Sequence, residues 1–153
     1  MAERAAYTCR EVRDEDLPAL ARMRTDWTIA QGGHADEGFE AKFRAWWQRE
    51  AGHRQAWVAL DADEAAVGMT NLMVFERMPR PGRDSGRWVY VANVWVDEAH
   101  RSRGVGRLLM TTVLQWCRAE GMVRVVLNPS DMALPLYSSM GFRPADDLMR
   151  LDL

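Results

Sequence analysis

A short loop with two glycines and three arginines is the part of the chain best suited to chemistry. It reads Arg101-Ser102-Arg103-Gly104-Val105-Gly106-Arg107 and lies between a predicted buried strand and the most regular amphipathic helix. Glycine adopts positive φ without strain and lets backbone amides approach a ligand closely. The start of a helix adds unpaired N–H groups and the positive end of the helix dipole. Together with the arginine charges, these features predict a pyrophosphate-binding site.

Two better-known phosphate motifs do not match this loop. A Walker loop needs a lysine that is absent here, and a dinucleotide fingerprint needs a third glycine where the chain has Leu109. The plain alternative is a glycine-rich turn with solvated arginines, because motifs this short also arise by chance. The preceding strand, the following helix and the three arginines favour the phosphate site. A binder of nucleotide phosphates stays open as a further interpretation.

The elements that position the loop begin with a strand, two helices and a hairpin. Tyr7–Val12 alternates as a short strand does, and an apolar stripe at helical spacing predicts a helix from residue 14 to about residue 31. Phe39–Glu50 predicts a second helix with an aromatic face. Ala56–Leu60 and Val67–Glu76, joined by a polar turn, predict two paired strands.

The second half alternates strands and helices. Trp88–Val96 is apolar on both faces, which is typical of a strand in the middle of a covered sheet. The remaining predictions are a loop at Met78–Gly86, helices at Gly104–Glu120 and Ala133–Met140, a strand at Val123–Leu127, and a final strand from Phe142 onward with Leu148–Leu153. We therefore expect one α/β (α+β) domain over residues 1–153, with a mixed sheet of about six to seven strands and about four helices.

Two segments carry a resemblance to a known family. Residues 94–109, which contain the loop, resemble the acetyl-CoA motif of GNAT-type N-acetyltransferases, Arg/Gln-x-x-Gly-x-Gly/Ala after a strand. Residues 128–142 resemble the family's Asn…Ala-x-x-x-Tyr-x-x-x-Gly-Phe signature. The order of strands and helices is similar from Tyr7 to Leu153, so the resemblance implies the GNAT fold for nearly the whole chain.

The resemblance implies an acyl-CoA-dependent N-acetyltransferase, with acetyl-CoA as co-substrate and no metal. A primary amine of a small molecule or peptide would attack the thioester directly in a ternary complex. Tyr137 would protonate the departing thiolate, for which a phenol that keeps its proton at pH 7 is chemically suited. Donor binding would use the backbone of Val94 and Val96, the loop residues Arg101, Ser102, Arg103, Gly104, Val105, Gly106 and Arg107, and the side chain of Asn128.

Several of these residues have structural interpretations as well. Tyr137 could pack beside Phe142 under the last strand, and Asn128 could cap the turn that follows it. Trp88 and Trp95 are interpreted as packing residues of the core or its rim.

The chain departs from the family pattern where a general base is expected. Many relatives carry a glutamate on the central strand near the position of Ala92, and alanine cannot take a proton. Glu76, Glu37, Glu40 and His34 are the candidates elsewhere, each also explicable as a surface group. The missing glutamate motivates a second interpretation, a non-catalytic acyl-CoA-binding sensor or partner protein.

The resemblance places the acceptor pocket between the first two helices and the Met78–Gly86 loop. Trp27, His34, Phe39 and Glu76 are the predicted substrate contacts, and an aromatic wall suits a flat or apolar amine. Phe43 and Trp47 could also line it. Helical spacing nevertheless favours a core position for Phe43 and Trp46.

Composition narrows the class of protein. The formal net charge of −2 indicates no general attraction to nucleic acid or anionic membranes. Cys9 and Cys117 share no metal or redox spacing and are predicted to be reduced, buried thiols. The residues from Met1 lack the apolar stretch of a signal peptide, so we expect a cytoplasmic protein. The apolar end, Leu151–Leu153, could pair with a second copy in a homodimer.

Overall fold

The computed structural model describes residues 6–153. Its helices and its first five strands agree with the sequence predictions to within about two residues at most ends, which is the usual uncertainty of such boundaries. The strands are β1 (Thr8–Glu11), β2 (Arg54–Leu60), β3 (Ala66–Glu76), β4 (Arg87–Val96) and β5 (Val125–Leu127), and the helices are α1 (Leu17–Ala30), α2 (Phe39–Glu50), α3 (Val105–Ala119) and α4 (Leu134–Ser139). Short 3-10 turns occupy Asp14–Asp16, Ala51–His53 and Glu98–His100.

The five strands form one mixed sheet in the order β1-β2-β3-β4-β5. The first four strands pair antiparallel to one another, and β5 pairs parallel to β4. Helix α3 is the crossover that connects β4 to β5. Helix α3 covers one face, since Val105, Leu109, Val113 and Cys117 recur every four residues and are at most 2% exposed. Helices α1 and α2 lie over the other face, where Leu20 and Met23 form part of a second buried cluster.

A partly buried ion pair lies immediately before α1, at the 3-10 turn of Asp14–Asp16. Asp16 accepts hydrogen bonds of 2.7 and 3.0 Å from the Arg10 guanidinium and one of 2.7 Å from the backbone amide of Arg13. Burial alone would raise the pKa of Asp16, but these hydrogen bonds outweigh it, so the pKa lies below its usual value. Pro18 in the first turn fits because a proline there loses no helical hydrogen bond.

The expectation of six to seven strands is wrong, because the segment from Phe142 onward forms no strand. A strand needs the backbone of a neighbouring strand to pair with, and apolar alternation alone cannot supply one. In the described part of the chain the sheet ends at β5, which is only three residues long. Leu148, Met149, Leu151 and Leu153 are between 60% and 115% exposed. The alternating apolar residues at the C-terminus therefore belong to an exposed segment that is not part of the sheet.

Three further features concern membrane-spanning helices, the N-terminus and the cysteines. Within residues 6–153, no helix is both long enough and apolar enough to cross a bilayer. The expectation about a signal peptide rests mainly on Met1–Ala5, which lie outside the described residues. Cys117 is buried and Cys9 is partly buried, and both are free thiols.

Candidate active site

A β-bulge interrupts β4 at its centre. Met69 pairs with Trp95, but Asn71 pairs with Ala92, so β4 contains one more residue than β3 between these points. The extra residue is Asn93, whose φ of 56° lies in the left-handed region. Asparagine tolerates this conformation better than other residues with a Cβ.

The bulge changes which residues face α3 along β4. Val89 and Val91 lie in the cluster beneath α3, and after the bulge Val94 and Val96 pack against the same cluster. Since the amide of Asp97 donates to β3, alternation turns the backbone groups of Val94 and Val96 away from β3 and toward the β5 side.

Strands β4 and β5 part at this point. Their parallel ladder ends at the pair Val91 and Leu127, whereas β4 continues for five further residues to Val96. The β5-facing edge of β4 therefore presents Val94 and Val96 beside a gap in the sheet. The carbonyl of Val96 accepts a hydrogen bond of 2.9 Å from Nε of Arg101, so the open edge connects directly to the predicted phosphate loop.

Two residues with positive φ shape the loop immediately before α3. Ser102 and Gly104 have φ values of 59° and 87°, and Gly104 is the residue immediately before α3. The first helical hydrogen bond runs from the amide of Leu108 to the carbonyl of Gly104. The amides at 105–107 thus lack intrahelical partners, and no side chain of residues 6–153 caps them. A Cβ built on Gly104 would meet no atom of those residues within 4 Å, so they leave space above the loop.

The three arginines of the loop differ in what they contact. Arg101 lies with its guanidinium 4.7 Å from the ring centroid of Trp95. Arg107 donates a hydrogen bond of 2.8 Å to the Ser139 hydroxyl, which ties α3 to α4. Arg103 is exposed and lines a surface depression beside Gly104. Arg101 and Arg107 therefore support the loop, and Arg103 is the side chain with the most freedom to meet a phosphate.

Tyr137 lies on α4 and joins the core cluster that Val94 packs against. Its ring meets Phe142 edge to face at 5.7 Å, as the packing interpretation expected. The hydroxyl has no hydrogen-bond partner within residues 6–153, yet no buried polar side-chain atom there is unsatisfied, so the hydroxyl reaches solvent. Burial of the ring raises the pKa of the phenol above its usual value. The residue is buried in the packing, and its protonated hydroxyl keeps some contact with solvent.

Asn128 follows the last residue of β5 and is exposed. Its side chain forms no hydrogen bond in the described part of the chain, and the next turn is capped instead by Ser130, whose hydroxyl accepts from the amide of Ala133 at 3.3 Å. The capping interpretation of Asn128 is therefore wrong. Its position at the end of β5 places it at the gap between β4 and β5.

On the opposite face of the sheet, α1 and α2 enclose a cavity of about 310 Å³. Its walls are mainly apolar and aromatic, while β3 and β4 supply a polar floor. The lining residues are Leu20, Arg24, Phe39, Lys42, Phe43, Trp46, Trp47, Met69, Thr70, Asn71 and Asn93. Helix α2 has no fully buried residue, although Phe43 and Trp47 pack against the second buried cluster as well as lining the cavity. Of the two residues assigned to the core, Phe43 therefore contacts it, whereas Trp46 lines the cavity without packing against either cluster, and its assignment is wrong.

The cavity floor is a connected set of side-chain hydrogen bonds. Arg54 donates to Oδ1 of Asn71 at 3.0 Å, and Nδ2 of Asn71 donates to Oδ1 of Asn93 at 2.9 Å. Glu50 holds Arg54 from the other side at 2.9 Å. This chain fixes Asn93 at the bulge, so the floor of the cavity and the open edge of β4 meet at adjacent residues, Asn93 and Val94.

The predicted substrate contacts are only partly assembled here. Phe39 lines the cavity. Trp27 stacks on Trp95 at 5.5 Å, and His34 and Glu76 are exposed and do not contribute to the lining. Residues of the Met78–Gly86 loop do not contribute either, so the expected role of that loop in the pocket is wrong.

The remaining candidates for a general base lie outside the cavity. Glu37 and Glu40 are exposed, and neither lines the cavity. Among the residues of the described chain, no group of three or more His, Cys, Asp or Glu is arranged to hold a metal ion. Sequence reasoning missed Arg24, Asn71 and Asn93. Two asparagines inside apolar strands were the available signal, since this residue type is depleted in strands.

Comparison with known proteins agrees with this geometry. The model of the Acetyltransferase (GNAT) family matches residues 17–142. Glucosamine 6-phosphate N-acetyltransferase of Trypanosoma brucei brucei is 36% identical over 87 residues, which make up 57% of this chain and 57% of that protein. N-acetyltransferase 8 of Homo sapiens is 35% identical over 91 residues, or 57% of this chain and 37% of that protein. The chain thus spans about half or less of the length of these curated relatives.

A solved structure covers more of the chain. The crystal structure of a Trypanosoma brucei acetyltransferase superposes with a TM-score of 0.74 at 26% sequence identity, covering 97% of this chain and 100% of that one. The family model itself extends from the first residue of α1, through the phosphate loop and α4, to Phe142. The chain therefore belongs to the acetyltransferase (GNAT) family.

Proposed function

We propose that the protein transfers the acetyl group of acetyl-CoA to a primary amine of a small molecule or peptide. The main support for this proposal is that the cavity proposed for the amine and the strand edge proposed for acetyl-CoA meet at the bulge of β4. Asn93 borders the cavity beneath α2, and Val94 begins the open edge of β4 that runs toward the loop before α3. A thioester lying along that edge would have its carbonyl next to an amine held in the cavity.

Each part of the donor has a group suited to it. The amides at 105–107 and the Arg103 guanidinium would bind the pyrophosphate. The backbone of Val94 and Val96 would pair with the pantetheine amides as an additional strand does. Asn128, at the end of β5, would meet the pantetheine from the other side of the gap. A backbone amide of the bulge would also stabilise the negative charge on the thioester oxygen as the amine adds.

In the chemical step, the amine nitrogen attacks the thioester carbon and forms the C–N bond, and the C–S bond then breaks. The sulfur leaves as a thiolate and takes a proton from the Tyr137 hydroxyl, while the nitrogen loses its proton to water or to the regenerated phenolate. The raised pKa of Tyr137 keeps this acid protonated at neutral pH. Holding the two reactants in line supplies most of the rate in such a mechanism.

A non-catalytic acyl-CoA sensor is the second candidate, and one observation favours it. Within residues 6–153, the cavity lining contains no carboxylate and no imidazole that could accept the amine's proton. Calorimetry with CoA, ATP and NAD, followed by thiol release from acetyl-CoA with a broad amine panel, separates the possibilities. The acetyltransferase predicts CoA binding and amine-dependent thiol release. CoA binding without release from any amine identifies the sensor, and preferential binding of ATP or NAD contradicts both.

A further inference from the structure

The charges around the acceptor cavity indicate which amine it takes. Arg24 and Lys42 are the ionisable side chains in the lining, and both are cations. A cationic substrate would therefore meet like charges and no carboxylate from the described residues. Like-charge pairing of this kind is an effective way to reject a ligand.

Arg24 is the cation positioned to bind an anion. Its side chain is half-buried at the cavity wall, and its guanidinium lies 5.0 Å from the ring centroid of Trp27. No carboxylate of residues 6–153 lies within ion-pair distance of it, although ion pairs form elsewhere on the same helix between Arg22 and Asp26. Stacking on an aromatic face leaves the in-plane N–H donors of a guanidinium available for a carboxylate or phosphate.

Lys42 is a weaker second cation. It pairs with Asp36 at 2.6 Å, and both side chains are more than half exposed. Exposed pairs of this type contribute little and exchange readily with solvent. The amide nitrogen of Asn93 adds an uncharged donor, since its oxygen already accepts from Asn71 and the nitrogen has no partner among the described residues.

The walls require a broad apolar group on the same substrate. Phe39, Phe43, Trp46 and Trp47 form a continuous aromatic surface on α2, in which neighbouring ring centroids are 5.6 to 6.5 Å apart. Such surfaces hold flat rings by burial and by edge or face contacts. A sugar or a polyamine would lose its hydration there without replacing it.

Because no base from residues 6–153 lines the cavity, the site can use only an amine whose own pKa leaves part of it neutral at pH 7. An unperturbed α-amine of a peptide, with a pKa of about 7.7 to 8.0, is neutral in roughly one molecule in ten at pH 7. A lysine-like amine, with a pKa of about 10.4, is neutral in fewer than about one in a thousand. A site without its own base therefore favours the first kind of amine.

We propose that the acceptor is an anionic aromatic α-amine, such as a short peptide that begins with an aromatic residue and keeps its carboxylate, and that Arg24 binds that carboxylate. This assignment rests on the proposed acetyl transfer and specifies its second substrate. The aromatic face of α2 holds the ring, and the amine lies over Asn93 beside the thioester.

Five probes separate the three proposed requirements of the substrate, which are a negative charge, an apolar ring and an α-amine that is partly neutral at pH 7. Phenylalanylglycine carries all of them, its C-terminal amide lacks the negative charge, and alanylglycine lacks the ring. Glucosamine 6-phosphate is anionic without an apolar body, and spermidine is a polycation. With acetyl-CoA fixed, we expect kcat/KM to be highest for phenylalanylglycine and at least about tenfold lower for its amide and for alanylglycine. Equal rates for the acid and the amide, or a preference for glucosamine 6-phosphate or spermidine, would overturn the assignment.

Two variants test the role of Arg24. Arg24→Gln should raise the KM for phenylalanylglycine about tenfold and leave the KM for its amide unchanged. Arg49→Gln removes the same charge from an exposed position of α2 outside the cavity lining, and it should change neither value. If Arg24→Gln affects acid and amide equally, Arg24 does not bind the carboxylate.

A binding measurement keeps this inference separate from catalysis. If no probe releases thiol, the proposed transfer fails, and calorimetry of phenylalanylglycine and its amide then decides the assignment alone. Tighter binding of the acid in the wild type, lost in Arg24→Gln, supports the anion site. Equal or absent binding of both compounds contradicts it.

Discussion

The side-chain amide of Asn71 on β3 donates a 2.9 Å hydrogen bond to Oδ1 of Asn93, the residue with positive φ at the bulge of β4. This bond joins two neighbouring strands where their register shifts. It also connects the acceptor cavity, which both asparagines line, to the edge of β4 that begins at Val94. The conformation of one residue therefore affects both proposed substrates.

The bulge can be tested by separating the backbone of Asn93 from its side chain. Asn93→Gly keeps a residue that tolerates positive φ, and we expect acetyl-CoA affinity to stay within about threefold of wild type. Asn93→Val strains the left-handed backbone by about 2 kcal/mol and should pull the bulge toward a regular strand. Calorimetry should then show acetyl-CoA binding at least about tenfold weaker than wild type. Equal weakening in both variants would show that the side chain, not the bulge, matters for the donor.

Tyr137→Phe removes only the hydroxyl, because the ring is what packs against Phe142. We expect unchanged acetyl-CoA affinity and a kcat at least about tenfold lower, equivalent to about 1.4 kcal/mol of barrier. Since burial raises the pKa of Tyr137, the phenol stays a proton donor up to and beyond its ordinary value near 10. The kcat profile of the wild type should therefore show no loss from this group below about pH 10. Full turnover in Tyr137→Phe would refute the acid role.

Two glycines at opposite ends of α3 form a matched pair for the phosphate loop. Gly104 and Gly121 have φ values of 87° and 71°, and a Cβ on either would meet no atom of the described chain within 4 Å. Valine at either position should destabilise the fold by a similar amount, about 2 kcal/mol in thermal or urea unfolding. Only Gly104→Val should weaken acetyl-CoA binding, by about tenfold or more, because its side chain enters the space above the amides. Normal affinity in a folded Gly104→Val protein rules out the loop assignment.

The ion pair at the start of α1 predicts a specific acid sensitivity. The pKa of Asp16 is lowered in the folded state, so its contribution is complete above the unfolded value of about 3.9 and is lost as the pH falls through the folded value. Asp16→Asn should lower the free energy of unfolding by about 2 kcal/mol at pH 7, measured by urea unfolding. The difference between variant and wild type should shrink below about pH 4. A difference that is constant from pH 7 to pH 3 would show that the carboxylate charge is not responsible.

The exposed C-terminal segment provides the test of a homodimer. Leu148, Met149, Leu151 and Leu153 together form an apolar surface without cover in the described residues. We predict that the protein sediments as a dimer and that Leu151→Glu converts it to a folded monomer, whose unfolding midpoint no longer depends on protein concentration. A monomeric wild-type protein at micromolar concentration would contradict this prediction.

The sequence predicted elements better than it predicted what lies between them. The spacing in α2 identified an aromatic helical face, but the same spacing serves a packed face and a cavity wall, so it could not separate Phe43, which does both, from Trp46, which only lines the cavity. The bulge at Asn93 disturbs no visible alternation, because β4 is apolar on both faces, so the asparagine itself, a residue type depleted in strands, was its one sequence signal. The prediction of a last strand was wrong for the opposite reason, since the alternation from Phe142 onward is clear but no neighbouring strand pairs with this segment.

The donor-side residues could be proposed from the sequence alone because their signal is local, and their role in binding stays a prediction. Gly104 adopts positive φ immediately before a helix, and the glycine and the helical pattern that indicate this are adjacent in the sequence. The acceptor side depends on contacts between distant segments, such as Arg54 with Asn71 and Arg24 with the cavity wall. No short motif encodes those contacts, so they become visible only in the folded chain.

The most direct test of the account is to incubate the purified protein with acetyl-CoA and phenylalanylglycine, and to measure CoA thiol release and acetylated peptide together. We expect equal amounts of free CoA and N-acetylated product, both dependent on protein, with strongly reduced amounts in Gly104→Val and normal amounts in Gly121→Val. Thiol release without acetylated amine from this or any other amine, or no release at all, would contradict it.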